Sequence, residues 1–366
     1  MSTLAASISP SADLPAAPSC DAALSSGPSP TSGPSPTAHL IGLGRIGRAL
    51  LALAAETPVR FIAASDRSAT VYSEAGLPAA ELQAAKSAGR PLADHPLAAP
   101  LPLDIALSVT DPDLVIDATD SDLAPAARAA ALARTRAVLK SGKQLVLAAK
   151  TPLLLDVEEL AACRRQLHVA AVFGGTGSAW LAELDKWPQH DRAFAGVVNA
   201  TTTEVIAALE RGGSLADGLA SARAAGLVEA DATQDLDGRD AALKLALVAR
   251  LAFGIALSPD AIERPHLAAL DPQLLQARAR RGATTRLVGR LAQDGTPSLR
   301  YEELPRGDRL ALPCGRVGYA FAAADGTTRL HLGRGVGALG TARALQGDLA
   351  ACARARRGLA VTEVAR

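Results

Sequence analysis

An acidic run followed by an apolar helix contains the residues best suited to chemistry. Asp240 and Lys244 lie four residues apart, so a helix places both on one face. At about 100° per residue, the same face continues through apolar side chains, which are Leu247, Val248 and Leu251. Opposite charges on an apolar stripe are expensive to bury and usually serve a function. This pair is therefore our first candidate for a catalytic site.

The start of this helix also allows a simpler interpretation. Asp237 is a possible N-cap, with Asp240 in the first turn. The two charges would then form an ordinary surface pair worth about 0.2–0.5 kcal/mol. The more polar side of the helix is predicted to contain Arg239, Leu243, Ala246 and Arg250.

A glycine-rich turn between a strand and a helix predicts a dinucleotide site. The apolar segment 38–41 leads into Gly-x-Gly-x-x-Gly, and a helix follows directly. The first glycine makes the tight turn, the second admits the pyrophosphate, and the third lets the helix pack on the strand. Cofactor contacts are predicted at Gly42, Leu43, Gly44, Arg45, Ile46 and Gly47.

Asp66 and Arg67 give conflicting signals about the cofactor. Asp66 ends the second predicted strand, about 20 residues after the glycine motif. An acid there binds the adenosine ribose hydroxyls and favours NAD. Arg67 follows it between serines, which suits a 2′-phosphate. The cofactor is predicted to be NAD(P), with the preference open.

Two further polar residues end buried strands of this first unit. Thr119 follows an apolar run at 114–118, and Lys150 follows one at 144–149. Cofactors bind at the carboxyl ends of strands in open α/β sheets, so both residues are cofactor candidates. Lys150 capping its strand at the surface is the alternative.

Composition narrows the classes of function. The 366 residues carry 38 basic and 37 acidic side chains, which does not favour nucleic acid or an anionic membrane as a partner. The scattered cysteines have no metal-site spacing, so no metal is predicted and a reducing cytoplasm is expected. No apolar run is long enough to span a bilayer. Residues 1–37 are rich in Ser, Pro and Ala and are predicted to be a disordered tail.

The second half of the chain mixes strands and turns. Strands are predicted at 168–173 and 194–199, each leading into a turn or helix start. An irregular region is expected from the charged helix to about Pro313. The segment 329–348 then predicts a strand, a glycine turn and a helix.

Residues from about 38 to 355 resemble the homoserine dehydrogenase family. The resemblance rests on the glycine motif, on Ser65-Asp-Arg-Ser and on the sequence Gly196-Val-Val-Asn199-Ala-Thr. Its specific part is the motif around Asp240 and Lys244, which also contains Glu229 and Asp235. The closing element contains Gly335, Gly337 and Thr341. It implies a Rossmann-type doubly wound parallel sheet plus an α+β catalytic and dimerisation domain with a mixed sheet.

By this resemblance the chain interconverts L-aspartate 4-semialdehyde and L-homoserine as a homodimer of the short type, without a regulatory domain. Lys244 would exchange the proton, while Lys150 polarises the carbonyl and lowers the pKa of Lys244. The substrate ammonium would be bound by Glu229 and Asp240, with Asp235 in support and Thr201 nearby. Gly337 and Thr341 would contact the cofactor.

The resemblance also predicts the domain limits. These are an NAD(P)-binding domain at 38–150, a substrate-binding and dimerisation domain at 151–315, and a segment at 316–366 that completes the cofactor domain.

The chain departs from the family pattern in the substrate-side loops, at Ala149, Ala200 and Thr203. Two alternatives therefore stay open. One is a homologous dehydrogenase for another small amino aldehyde, and the other is an inactive NAD(P)-binding sensor.

Overall fold

Two separate sheets organise residues 35–184, 193–228, 232–323 and 326–364, which are described in a computed structural model. The strands of the first sheet are β1 (Thr37–Ile41), β2 (Arg60–Ser65), β3 (Thr70–Tyr72), β4 (Ala98–Ala99), β5 (Leu114–Asp117), β6 (Gln144–Leu147) and β7 (Leu167–His168). Their order is β4-β3-β2-β1-β5-β6-β7. The pairs from β2 to β7 are parallel, while β3 and β4 join antiparallel at one edge.

Helices cover this first sheet. They are α1 (Arg45–Ala52), α2 (Ala79–Ser87), α3 (Leu103–Thr110), α4 (Pro125–Lys140) and α5 (Val157–Ala162). In the central strand β5, Leu114, Val115 and Ile116 have no exposed area. A run of apolar residues buried on both faces is typical of a parallel strand between helical layers.

The second sheet is antiparallel throughout. It contains β8 (Ala193–Val197), β9 (Ala283–Leu291), β10 (Pro297–Pro305), β11 (Arg316–Ala322) and β12 (Thr328–Arg334), in the order β10-β9-β8-β11-β12. A mixed sheet was expected for this domain, but its described strands all pair antiparallel. Its helices are α6 (Gly177–Leu184), α7 (Ala200–Glu210), α8 (Leu215–Ala224), α9 (Thr233–Leu236), α10 (Arg239–Val248) and α11 (Pro272–Arg280).

The predicted combination of a Rossmann-type sheet and a second α+β unit is confirmed. Two local predictions were wrong. The strand expected at 168–173 ends at His168, and a 3-10 segment, Ala170–Thr176, follows it. The region expected to be irregular before Pro313 contains α11, β9 and β10.

The C-terminal segment divides between the two units. Strands β11 and β12 pair within the second sheet, which corrects the expectation that 316–366 completes the cofactor domain. The last helix, α12 (Gly337–Val364), instead packs against α1 and the 3-10 segment of the first unit.

The N-terminal boundary also shifts, because Thr37 begins β1 and its amide donates to Asp113. The rest of the predicted tail, residues 1–34, lies outside the described residues. Across the described part of the chain, no helix is both long enough and apolar enough to cross a membrane.

Candidate active site

A cavity of about 220 Å³ lies where the carboxyl edge of the first sheet meets the second unit. Residues from both units line it. It brings together many of the predicted site residues, namely Arg45, Ile46, Lys150, Thr201, Asp235, Asp240, Lys244, Gly337 and Thr341. Such a cleft between units, with several polar groups converging in it, is the usual setting of a small-molecule site.

Asp240 is the centre of the polar groups in this cavity. One carboxylate oxygen, Oδ2, lies 2.8 Å from Nζ of Lys244 and accepts a 2.9 Å hydrogen bond from Nδ2 of Asn199. The other oxygen, Oδ1, lies 3.3 Å from Nζ of Lys150. Because the two lysines reach Asp240 from different units, this carboxylate joins the two sides of the cavity.

The charges around Asp240 keep it ionised. Burial would raise its pKa, but the charges of Lys244 and Lys150 and hydrogen bonds from Lys244 and Asn199 hold the pKa well below its usual range. This carboxylate already has two cations and an amide as partners. A substrate ammonium, which this carboxylate was predicted to bind, would share it with these partners.

Lys244 is fixed as an ammonium. Its Nζ donates a 2.9 Å hydrogen bond to the carbonyl of Val198 as well as pairing with Asp240. Burial would lower the pKa of Lys244, but Asp240 and Tyr319 raise it above the usual lysine value. The prediction that Lys150 lowers the pKa of Lys244 is therefore wrong. Asp240 lies between the two lysines, and its charge outweighs their repulsion.

Helix α10, which presents Asp240 and Lys244, is buried on nearly all sides. Leu243 and Ala246, predicted to be on its polar side, are 3% and 0% exposed. Arg250 lies beyond the helix end and donates a 2.6 Å hydrogen bond to the buried carbonyl of Leu155. The prediction that Leu243 and Ala246 lie on a more polar side was wrong, because the second sheet covers this side of the helix. The simple surface-pair interpretation fails for the same reason.

Asp235 is a second acid in the cavity, and no cation among the described residues forms a direct ion pair with it. It accepts a 2.6 Å hydrogen bond from Nδ2 of Asn199, and Thr201 also bonds to it. Burial and the neighbouring charge of Asp240 raise its pKa. An incoming cation would relieve both effects. Glu229, the other predicted ammonium ligand, lies outside the described residues.

The glycine motif has the conformation that a dinucleotide requires. Gly42 has φ +92°, and a Cβ there would meet the backbone of Ala118 and Thr119 at 2.7–2.8 Å. A Cβ at Gly47 would lie 2.0 Å from the carbonyl of Gly42, so the helix could not approach the strand as closely. A Cβ at Gly44 would meet nothing within 4 Å, and no side chain caps α1. The helix N-terminus is thus open to phosphate.

Several predicted cofactor residues lie along the sheet edge but outside the cavity lining. These are Gly42, Leu43, Gly44, Gly47, Asp66, Arg67 and Thr119. Thr119 follows β5, and its Oγ1 donates to Asp117 while accepting from Arg134. They occupy the carboxyl ends of β1, β2 and β5, where an extended cofactor would lie.

Asp66 has a basic partner that the sequence did not suggest. Nζ of Lys86, on α2, lies 2.7 Å from its Oδ2, while Ser68 donates to Oδ1 from both its amide and its hydroxyl. Burial would raise the pKa of Asp66, but these bonds hold it below its usual range. The acid expected to bind ribose is therefore partly neutralised.

Sequence reasoning assigned no role to Asn199 or Tyr319. Asn199 caps α7 by accepting from the amide of Thr202, and its Nδ2 joins Asp235 to Asp240. Its position between a strand and a helix is a recognisable N-cap signal. Tyr319 lines the cavity beside Lys244 and is 1% exposed. No sequence signal marks it, because strand pairing alone places it there.

His39 is a buried structural residue. Its Nε2 lies 2.7 Å from Oγ of Ser65, which lies 2.7 Å from Oγ1 of Thr70. Burial lowers the pKa of His39 to about 4, and the side chain has no exposed area. A histidine without access to a ligand cannot act on one.

Comparison with known proteins explains this arrangement. Residues 184–350 match a family model described as homoserine dehydrogenase. This matched part of the chain is similar to the homoserine dehydrogenase family. The match covers the second sheet, the helix α10 that carries Asp240 and Lys244, and the start of α12.

Curated relatives in this family differ in how much of the chain they match. The chain is 33% identical to homoserine dehydrogenase of Mycobacterium leprae (strain TN) over 234 residues, which cover 60% of this chain and 53% of the relative. The chain thus spans about half the length of that relative. It is 27% identical to NAD(+)-dependent homoserine dehydrogenase of Pseudomonas canavaninivorans over 332 residues, covering 85% and 94% of the two chains.

Solved structures share the fold. A putative homoserine dehydrogenase from Archaeoglobus fulgidus has a TM-score of 0.70 at 22% identity, covering 86% of this chain and 98% of that one. A hyperthermophilic archaeal homoserine dehydrogenase in complex with NADPH has a TM-score of 0.68 at 21% identity, covering 86% and 96%. At these identities the likeness concerns the fold.

Proposed function

We propose that this protein is an NAD(P)-dependent dehydrogenase that interconverts L-aspartate 4-semialdehyde and L-homoserine. The observation that carries the proposal is the position of Lys244. Its ammonium is held by Asp240 and the Val198 carbonyl inside a cavity that Arg45 and Ile46 of the cofactor unit also line. The similarity to the homoserine dehydrogenase family supports the same reaction.

The cofactor fits the described residues. The open N-terminus of α1 and the bare Gly44 would bind the pyrophosphate. Lys150, Gly337 and Thr341 line the cavity where the reactive ring would meet the substrate. When bound, a reduced nicotinamide supplies the hydride that the aldehyde carbon accepts.

Lys244 supplies the proton in this mechanism. As the carbonyl carbon gains a hydride, its oxygen becomes an alkoxide and must gain a proton. An ammonium has three N–H donors, and Asp240 and Val198 engage two of those on Lys244. The third donates to the substrate oxygen and transfers its proton, leaving a neutral amine. In the reverse direction the amine removes the alcohol proton.

Lys150 and Asp240 prepare this step from opposite sides. Lys150 polarises the carbonyl with a positive charge from the cofactor unit, which stabilises the developing alkoxide. Asp240 fixes both ammonium groups at 2.8 and 3.3 Å, so no reorganisation is needed as the charge develops. Asp235 binds the substrate ammonium, and Thr201 lies beside it. These groups together set the orientation of the aldehyde.

The surroundings of Asp66 support use of NADP(H). A free carboxylate would repel a 2′-phosphate, but Lys86 pairs with this one at 2.7 Å. Lys86 and the adjacent Arg67 therefore give a basic local balance. This favours a phosphate over a bare ribose diol.

One observation favours another small amino aldehyde as a second candidate substrate. A Cβ at Gly335 would lie 2.4 Å from Cβ of Ala200 and 2.6 Å from Cδ2 of Leu227, so these groups close together on one side of the cavity. The Ala200 methyl thus narrows the space at the N-terminus of α7. A narrower space would select by the shape of the substrate.

Steady-state oxidation of L-homoserine with NAD and with NADP tests the proposal, beside amino alcohols of four to six carbons. The expected result is turnover of L-homoserine at a higher kcat/KM than the other alcohols. Turnover of another amino alcohol alone would support the second candidate. Cofactor binding without any alcohol oxidation would support a sensor instead.

We also infer a homodimer, in a cytoplasmic location. The second sheet ends in the edge strands β10 and β12, and Leu332 on β12 is 47% exposed, which supports an interface on this unit. Light scattering coupled to size exclusion distinguishes a dimer of this 37.3 kDa chain from a monomer.

A further inference from the structure

The wall of the cavity beyond β7 is formed by a segment that is only weakly held by its own hydrogen bonds. We name the 3-10 segment Ala170–Thr176 the wall turn. Four of its residues line the cavity, namely Ala171, Val172, Phe173 and Gly174. A 3-10 turn has poorer hydrogen-bond geometry than an α-helix, and its first amides lack partners within the turn. No side chain at its N-cap, Val169, satisfies them.

A carboxylate from a distant helix satisfies these amides. Oδ2 of Asp348, on α12, accepts a 3.1 Å hydrogen bond from the amide of Ala171, and the amide of Ala170 also bonds to this carboxylate. Asp348 is 177 residues away in sequence and 8% exposed. It therefore acts as a remote cap of the wall turn.

The wall turn also joins the two apolar cores of the molecule. Ala171 packs with Leu345 and Leu349 of α12 in the core of the first unit. Val172 and Phe173 belong to the core that also contains α10. A displacement of the turn would therefore move both the cofactor side and the substrate side of the cavity.

The turn has little room to adjust by itself. Gly174 has φ +61° and lies against Val336, where a Cβ would be 3.4 Å from Cγ2. A Cβ at Gly177 would lie 1.9 Å from the carbonyl of Ala170. Because the turn is closely packed at Gly174 and Gly177, it cannot absorb a local displacement. A displacement at its start would therefore shift the rest of the turn.

We propose that Asp348 is a positioning residue, whose ionised carboxylate fixes the wall turn and thereby shapes the cavity for cofactor and substrate. This extends the proposed function, since it concerns the same cavity. Asp348 does not line the cavity itself. It acts through the backbone of Ala170 and Ala171.

The ionisation of Asp348 provides a distinctive signal. Burial raises its pKa to about 6, while the two amide hydrogen bonds oppose that rise. The packed elements carry few charges: the wall turn and β6 have none, and α1 brings Arg45, which lines the cavity, and Arg48, which donates to the Lys86 carbonyl. The charged neighbours on α12 are Arg343 and Arg354. Protonation below about pH 6 would remove an acceptor from the turn.

The test compares Asp348→Asn with the wild type and with Cys352→Ala as a matched control. Cys352 lies one helical turn further along α12 and is also buried. Asparagine can accept from one amide, but it turns an N–H toward the other. The expected result is a rise of about tenfold in the Kd of NADPH, measured by fluorescence at pH 7.5. The kcat/KM for L-homoserine should fall in Asp348→Asn. The urea concentration at half-unfolding should decrease no more in Asp348→Asn than in Cys352→Ala.

The pH profile gives the second measurement. The wild type should lose NADPH affinity as pH falls through about 6. Asp348→Asn should show a smaller loss, which is the part due to protonation of the 2′-phosphate of NADPH, whose second pKa is also about 6. Asp348→Ala should be weaker still, with partial rescue by asparagine. Equal NADPH affinity in Asp348→Asn and the wild type, or an unchanged acid limb, would overturn the proposal. Because binding is read without turnover, these results stand even if the wild type oxidises no homoserine.

Discussion

The ammonium of Lys244 and the carboxylate of Asp240 meet at 2.8 Å across one turn of α10, and Lys150 reaches the same carboxylate from the other unit. The pair raises the pKa of Lys244 and lowers that of Asp240. Before cofactor and substrate bind, both groups are therefore charged at neutral pH. A donor that is protonated at this stage suits the reduction of an aldehyde.

Replacement of Lys244 by alanine should remove the proton donor. We expect kcat for homoserine oxidation to fall by about 10²–10⁴-fold, the usual contribution of general acid–base catalysis. The Kd of NADPH should change little, because the pyrophosphate is expected at α1. Lys143→Ala, which removes a lysine from a surface pair with Asp111, is the control and should keep full activity. Retention of activity in Lys244→Ala would contradict the assignment.

Replacement of Asp240 by asparagine should move the pH profile. Asp240 raises the pKa of Lys244, so its loss lowers that pKa. In the reduction direction the reactive form is the ammonium. As the pH rises, Asp240→Asn should therefore lose activity at least one pH unit before the wild type does. One pH unit corresponds to only about 1.4 kcal/mol, which is less than the usual cost of breaking a buried ion pair. Because the pKa of Lys244 in the wild type lies above the usual lysine value, kinetics from pH 6 to 10 should show a basic limb in Asp240→Asn alone.

If Asp240→Asn shows no basic limb up to pH 10, or one at the same pH as in the wild type, Asp240 does not control the titrating group. Thermal unfolding of Asp240→Asn should accompany this measurement, because a buried lysine loses its partner. Breaking one side of a buried pair is costly. Activity is therefore compared at a temperature where both proteins are folded.

Much of this site was accessible from the sequence because its elements are local. The glycine motif, the strand ends at Thr119 and Lys150, and the i,i+4 pair each depend on residues close together in the chain. The pairing of strands across large separations is not local. For that reason the sequence did not reveal that β11 and β12 join the second sheet, or that Tyr319 reaches the cavity.

Side-chain partners from distant elements were missed for the same reason. Asp66 was predicted to contact the cofactor, but its ion pair with Lys86 of α2 was not predicted. Asp348 lies 177 residues from the turn that it caps. Helix periodicity also misled at Leu243 and Ala246, because a helix that is covered on nearly all sides has no polar face to detect.

Replacement of Lys86 by alanine should reverse the balance at the adenosine end. Asp66 would then be an unpaired acid that repels a 2′-phosphate and accepts from ribose hydroxyls. We expect the ratio of NADPH to NADH affinity to fall by about tenfold or more, comparable to a lost charge-assisted hydrogen bond. Fluorescence titration with both cofactors measures it, with Lys143→Ala as control. An unchanged ratio would exclude Lys86 from cofactor selection.

His39 should make the stability of the fold depend on pH. Its folded pKa of about 4 lies below the ordinary histidine value of 6.5, so between these values the unfolded chain binds a proton that the folded chain does not. The free energy of unfolding therefore rises with pH in this window and falls as pH decreases. The full effect is roughly 3 kcal/mol between pH 6.5 and 4, and about 2 kcal/mol of it occurs above pH 5.

Urea unfolding of wild type and His39→Gln at pH 7 and pH 5 isolates this effect of His39. Other groups also titrate: the raised pKa of Asp348 makes stability fall as pH rises toward 6, which opposes the His39 contribution. The difference between the two proteins removes that background. Glutamine retains an amide that can bond to Ser65 but cannot titrate. We expect the wild type to lose about 2 kcal/mol more than His39→Gln on acidification; equal losses would mean that His39 is protonated normally in the fold.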